Sequence, residues 1–109
     1  MAIKHANPLD IIDVRPLGDN LRKTVTSSLL KASRLQVMRT VLLAGKSVPE
    51  HRVAGEMTLQ CLEGEVVITT PTRTGKLAAG ELMVLPGGEP HSLLATSDST
   101  LLVTMLIHA

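Results

Sequence analysis

Short apolar alternations, each cut off by turn residues, constrain this chain more than any other feature. Over Leu35 to Ala44, Leu35, Val37, Val41 and Leu43 share one face with Arg39, while Met38 and Leu42 take the other. Met57, Leu59 and Cys61 alternate against Thr58, Gln60 and Leu62 in the same way. Near the C-terminus Leu101, Val103, Met105 and Ile107 alternate against Leu102, Thr104, Leu106 and His108. Both faces of that last strand are apolar, a pattern that predicts covering on both sides by a second sheet or a second chain. Further strands are predicted over 9–14, 25–31, 65–70, 82–85 and 91–96. The punctuation between them is Pro16 to Asn20, Gly45 to Ser47, Glu63-Gly64, a hairpin loop from Pro71 to Gly75, and a bend from Pro86 to Pro90. Many short strands, closely spaced turns and no convincing amphipathic helix predict an all-β sandwich or barrel.

Composition narrows what such a barrel could hold. The 109 residues suffice for one domain and one core. No Phe, Tyr or Trp occurs anywhere, so the core must be built from aliphatic side chains and methionine. The same absence removes the stacking platforms used for single-stranded nucleic acid and for many flat ring ligands. A formal net charge of +1, with basic residues scattered before residue 40, gives no concentrated surface for nucleic acid. No apolar run approaches the ~20 residues that would span a bilayer. A single cysteine, Cys61, excludes an internal disulfide framework and suits a reducing compartment. With no recognisable signal segment at the N-terminus, the expected location is cytoplasmic.

Two stretches carry a family resemblance. The first, GKSVPEHRVAGEMTLQCLEG, runs from Gly45 to Gly64, and the second, GELMVLPGGEPHSLLA, from Gly80 to Ala95. They resemble the paired motifs of the cupin superfamily. Gly45, His51 and Gly64 hold their places in the first motif, but Val53 stands at its second His position and Met57 at its Glu position. Gly80, Pro86, Gly88 and His91 match the second motif, whose final Asn is replaced by Ala95. The resemblance covers roughly residue 35 to the C-terminus. It implies a cupin-type double-stranded β-helix, a jelly-roll barrel around a central cavity, with residues 1–109 as one domain. Residues 1–34 would then supply N-terminal strands and 35–109 the motif-bearing barrel. In small cupins such an N-terminal segment often pairs with a partner subunit, so the resemblance also implies a homodimer.

In cupins with an intact site, two His and one Glu of the first motif and the His of the second ligate a metal ion. Carried over by position, this chain keeps His51 and His91. Val53 cannot ligate, and the thioether of Met57 suits copper(I) better than iron, manganese or zinc. Two carboxylates could restore a set of two histidines and one carboxylate for a divalent transition metal. Glu56 would do so if Gly55 allowed a bulge that turned it inward, and Glu89 lies in the bend beside His91. Met57 and Cys61 lie ~13 Å apart along a strand at ~3.3 Å per residue, too far to share one ion with the histidines. Cys61 reads better as a small buried hydrophobe.

Two readings of function follow. One is a non-enzymatic, small-molecule-binding or structural domain with a largely aliphatic cavity. Its lining would draw on His51, His91, Met57, Cys61 and Gln60, although alternation sets Gln60 opposite Met57 and Cys61. Its ligand would be a small apolar molecule, and no cofactor would be needed. The other is a metal-dependent oxygenase or isomerase using His51, His91 and Glu56. Three apolar replacements, Val53, Met57 and Ala95, favour the first.

Overall fold

The structure, a computed structural model, describes residues 5–107. Its strands are β1 (Ser27–Lys31), β2 (Leu35–Leu42), β3 (Ser47–His51), β4 (Met57–Glu63), β5 (Glu65–Thr69), β6 (Thr74–Ala78), β7 (Leu82–Leu85), β8 (His91–Ala95) and β9 (Ser99–Leu106). Every strand pairing is antiparallel. They form a five-stranded sheet in the order β1-β2-β9-β4-β7 and a four-stranded sheet in the order β3-β8-β5-β6. One 3-10 turn over Gly18–Lys23 is the helical element of the described residues. Among those residues no helix is long and apolar enough to cross a membrane.

The alternation read from the sequence sets which side chains go inside. On β4, Met57, Leu59 and Cys61 are buried, and the residues between them are only half-buried. On β8, His91, Leu93 and Ala95 point into the molecule. Leu59, Val66, Ile68 and Leu101 are fully buried between the sheets. Each fully buried aliphatic side chain contributes about 1.5–3 kcal/mol relative to exposure, so a core without aromatics is sufficient. The last strand is covered unequally. Leu101 and Val103 are buried, Leu102 is half-covered and Leu106 is exposed. The second sheet supplies the cover on the inner side.

Three sequence expectations need correction. The strand predicted over 9–14 does not form. Residues 7–17 are irregular, with a lone bridge from Ala6 to Leu30, and Leu9 and Ile11 are exposed. Apolar content is present there, but among the described residues no cross-strand neighbour lies alongside to satisfy the backbone. Residues 1–34 therefore contribute one strand of the described fold, β1, which pairs with β2 of the same chain. In the other direction, β3 and β6 form where no strand was predicted. β3 lies at an edge of its sheet, where Pro49 is tolerated because the missing N–H costs no ladder bond. β6 pairs along its whole length with β5, and Leu77 is its one fully inward side chain.

Candidate functional site

Strands β3 and β8 bring the two motif histidines together. The strands are antiparallel, and after a register shift between Val48 and His51, His51 stands directly across from His91. The ring centroids are 4.3 Å apart, with the planes tilted by 57°. The two rings differ in environment: His91 is 1% exposed, whereas His51 is open to solvent at the rim. Their local hydrogen bonds are the same. Nδ1 of His51 lies 3.1 Å from the carbonyl of Pro49, and Nδ1 of His91 lies 3.0 Å from that of Glu89. A carbonyl oxygen only accepts, so each ring donates from Nδ1, which leaves Nε2 free of that bond.

The two motif loops are locked to each other behind this pair. Gly88 N–H donates to the Val53 carbonyl at 2.8 Å. A side chain on Gly87 would collide with the Ala54 carbonyl, so only glycine lets the second motif's bend lie against residues 53–55.

The histidines open onto a cavity of about 330 Å³ between the two sheets. Its other walls are ten aliphatic or thioether side chains and two threonines, Thr26 and Thr40. Val53 and Met57, the replacements at the family's His and Glu positions, are both part of this lining. Met38, Met57 and Met105 supply flexible, polarisable walls where aromatic rings would otherwise be rigid.

Other residues singled out from the sequence lie elsewhere. Cys61 is 0% exposed in the core and does not reach the cavity; its thiol lies 3.3 Å from the Glu63 carbonyl. Burial pushes that thiol's pKa up, and the nearby charges of Glu63, Glu81 and Glu65 add to the effect. Gln60 pairs with Leu82 and Leu102 on the five-stranded sheet and is absent from the cavity wall, as alternation with Met57 requires. Glu56 is exposed and lines a different groove, of about 230 Å³, with Leu35, Met57, Thr58, Val84, Thr104 and Leu106, so Met57 is the residue shared with the histidine cavity. The bulge that would have turned it inward is not made. Gly55 is instead needed for a close approach to the Leu106 carbonyl, and Glu56's own carbonyl accepts Leu106 N–H at 3.0 Å. Glu89 lines a third cavity with Thr70, Arg73 and Met83, and its bond to His91 is made by the backbone carbonyl.

The donor set therefore falls short of what the family's metal chemistry uses. Among the described residues no three His, Cys, Asp or Glu side chains converge. Two imidazoles against thioether and aliphatic walls do not fit a hard divalent ion, which needs further oxygen or nitrogen donors.

The family model for the Cupin domain matches residues 38–107, the stretch that holds both motifs, the two histidines and most of the cavity wall. The chain belongs to the cupin family. Among solved structures, a conserved protein of unknown function from Streptococcus pyogenes superposes with a TM-score of 0.76 at 22% identity, covering 100% of this chain and 99% of that one. A cupin superfamily protein from Desulfitobacterium hafniense gives 0.75 at 22% identity over 89% of this chain and 94% of the other. A salicylate 1,2-dioxygenase variant from Pseudoaminobacter salicylatoxidans gives 0.65 at 24% identity, over 72% of this cupin but only 22% of the dioxygenase. At these identities the likeness establishes the double-stranded β-helix fold and nothing about activity. No curated protein matches the sequence.

Proposed function

We propose that this cupin is a small-molecule-binding protein whose barrel takes a compact, largely aliphatic ligand with one polar end directed at His51 and His91. The observation that carries this reading is the composition of the cavity wall: ten apolar side chains, two threonines and two histidines around about 330 Å³. That volume lies at the low end for small-molecule pockets and corresponds to about ten water molecules at ~30 Å³ each. A polar group at the ligand's end would hydrogen-bond to imidazole Nε2, and the matched Nδ1–H bonds to Pro49 and Glu89 fix how both rings are presented. An Nε2 without a proton accepts from a ligand hydroxyl or N–H, and one that carries a proton donates to a carboxylate.

Calorimetric titration with short-chain alcohols, amides and carboxylic acids tests the proposal. Saturable binding is expected for members of that panel, with about tenfold loss in His91→Ala from one lost hydrogen bond. Val53→Phe, which extends a ring into the cavity from its rim, should abolish binding with the fold retained. Binding that is unaffected by both substitutions would place the ligand elsewhere and refute the reading.

A further inference from the structure

We propose that Arg39 and the N-terminal segment folded across it form a second ligand site, for a small oxyanion of the carboxylate or phosphate-monoester type. The site lies across β2 from the barrel cavity and is independent of the reading given for that cavity. Met38, Thr40, Val41 and Leu42 line the barrel cavity, whereas Arg39 lines a separate one. There the segment over residues 13–20 covers it, leaving Arg39 9% exposed.

A buried guanidinium normally comes with a carboxylate, because an unpaired charge removed from water is costly. Here Nη2 donates to the carbonyls of Asp13 at 3.2 Å and Arg15 at 3.3 Å, and Nε has no partner among the described residues. The ion pairs among the described residues are Arg15 with Asp13 and Arg22 with Asp98, neither involving Arg39. Glu63 is the nearby acid, but its carboxylate is engaged by Leu17 N–H at 2.7 Å, Gly18 N–H at 3.1 Å and the Thr100 hydroxyl at 2.7 Å. Two carbonyls would suffice to pin the segment down, yet they supply no counter-charge.

A cavity of about 380 Å³ opens beside this group, lined by Asp13, Arg15, Pro16, Leu17, Asn20 and Arg39. Its charged lining is two guanidiniums against one carboxylate, and that carboxylate is already held by Arg15 at 2.7 Å. Within the lining the surplus is positive, the Glu63 carboxylate that also feels the Arg39 charge lies outside it, and the Asn20 amide can add donors. A planar guanidinium with spare N–H groups beside a polar cavity is suited to an oxyanion, which would neutralise the buried charge.

The test uses the full chain labelled with nitrogen-15, following the Arg39 Nε–Hε resonance while inorganic phosphate or acetate is added at ionic strength held constant with chloride. A saturable shift at Arg39 Nε and at the Asn20 side-chain amide is expected for at least one anion. Tighter binding of phosphate would assign the phosphoryl class, and tighter binding of acetate the carboxylate class. Arg39→Lys keeps the charge but loses the planar fork, and should weaken binding by about tenfold. If that variant does not fold, Asn20→Ala, at an exposed position, should weaken binding severalfold. Shifts that never saturate with either anion, or affinities unchanged in the variants, would overturn the proposal.

Discussion

Replacing Gly64 with alanine should destabilise the barrel far more than the same replacement at Gly80. Both are motif glycines at turns, with φ of +82° and +88°. At Gly80 an added Cβ would enter open space. The cost there is the left-handed backbone, about 1–2 kcal/mol for an L-residue. It is offset by about 0.4–1 kcal/mol through the reduced freedom of the unfolded chain. The net loss is about 1 kcal/mol. At Gly64 the same Cβ would strike the Asp98 carbonyl and the Ser99 hydroxyl, and would sit 2.8 Å from Ser99 Cα. Those atoms belong to the entry of β9, at the centre of the five-stranded sheet, and cannot yield as a flexible side chain can. Overpacking against backbone adds about 1–3 kcal/mol, which brings Gly64→Ala to about 2–4 kcal/mol. At about 4 °C per kcal/mol for a domain of this length, the two variants should differ in Tm by about 8 °C. Thermal unfolding followed by far-ultraviolet circular dichroism measures this directly. Equal losses in the two variants would mean that the β4–β5 turn does not pack against β9 as described.

Other outcomes follow from the same geometry. Cys61, buried with its thiol pKa raised, should be inert to a disulfide reagent in the native protein and react fully in denaturant. His91→Ala should cost about 1–3 kcal/mol, because it empties a buried position and leaves the Glu89 carbonyl without its donor, while His51→Ala at the exposed rim should stay within about 0.5 kcal/mol. Stability should fall in acid. Burial alone would raise the Glu63 carboxyl, but the Leu17 N–H, the Thr100 hydroxyl, the Gly18 N–H and the Arg39 charge hold it below its ordinary value of 4.5. Asp98 is likewise held below 3.8, by the Ala44 N–H and by Arg22. Groups with lowered folded values stabilise fully above the ordinary value and lose that contribution as pH falls through the folded one. Urea unfolding at about pH 6 and about pH 3 should therefore show a loss that Glu63→Gln makes smaller.

The barrel was legible because its central strands alternate cleanly. β2, β4, β8 and β9 each carry apolar residues at a period of two, and the motif glycines mark the turns between them. β3 and β6 escaped because their stability comes from their neighbours. β3 has only Val48 partly covered and contains Pro49, and β6 reads TGKLA with one buried side chain. The strand expected over 9–14 shows the converse, since without a pairing neighbour Leu9 and Ile11 stay exposed and Ile12 and Val14 are only half-buried. At the site, motif spacing brought His51 and His91 into view and alternation placed Met57 beside them. Cys61 could not be separated from Met57 by alternation alone, because both face inward and only their distance along β4 divides cavity from core. The burial of Arg39 was invisible, since residues that cover it carry no periodic pattern. An outward-facing arginine on a sheet ordinarily meets water.

The methionine methyl groups give the most direct test of ligand binding in the barrel. Met38, Met57 and Met105 line the cavity, and Met83 lies in a separate one with Thr70 and Glu89. In protein carrying carbon-13 at the methionine methyls, a short aliphatic alcohol or amide should move the resonances of Met38, Met57 and Met105 together along one saturation curve, with Met83 still. Silence of those three across the whole panel, or a saturable response confined to Met83, would contradict the account.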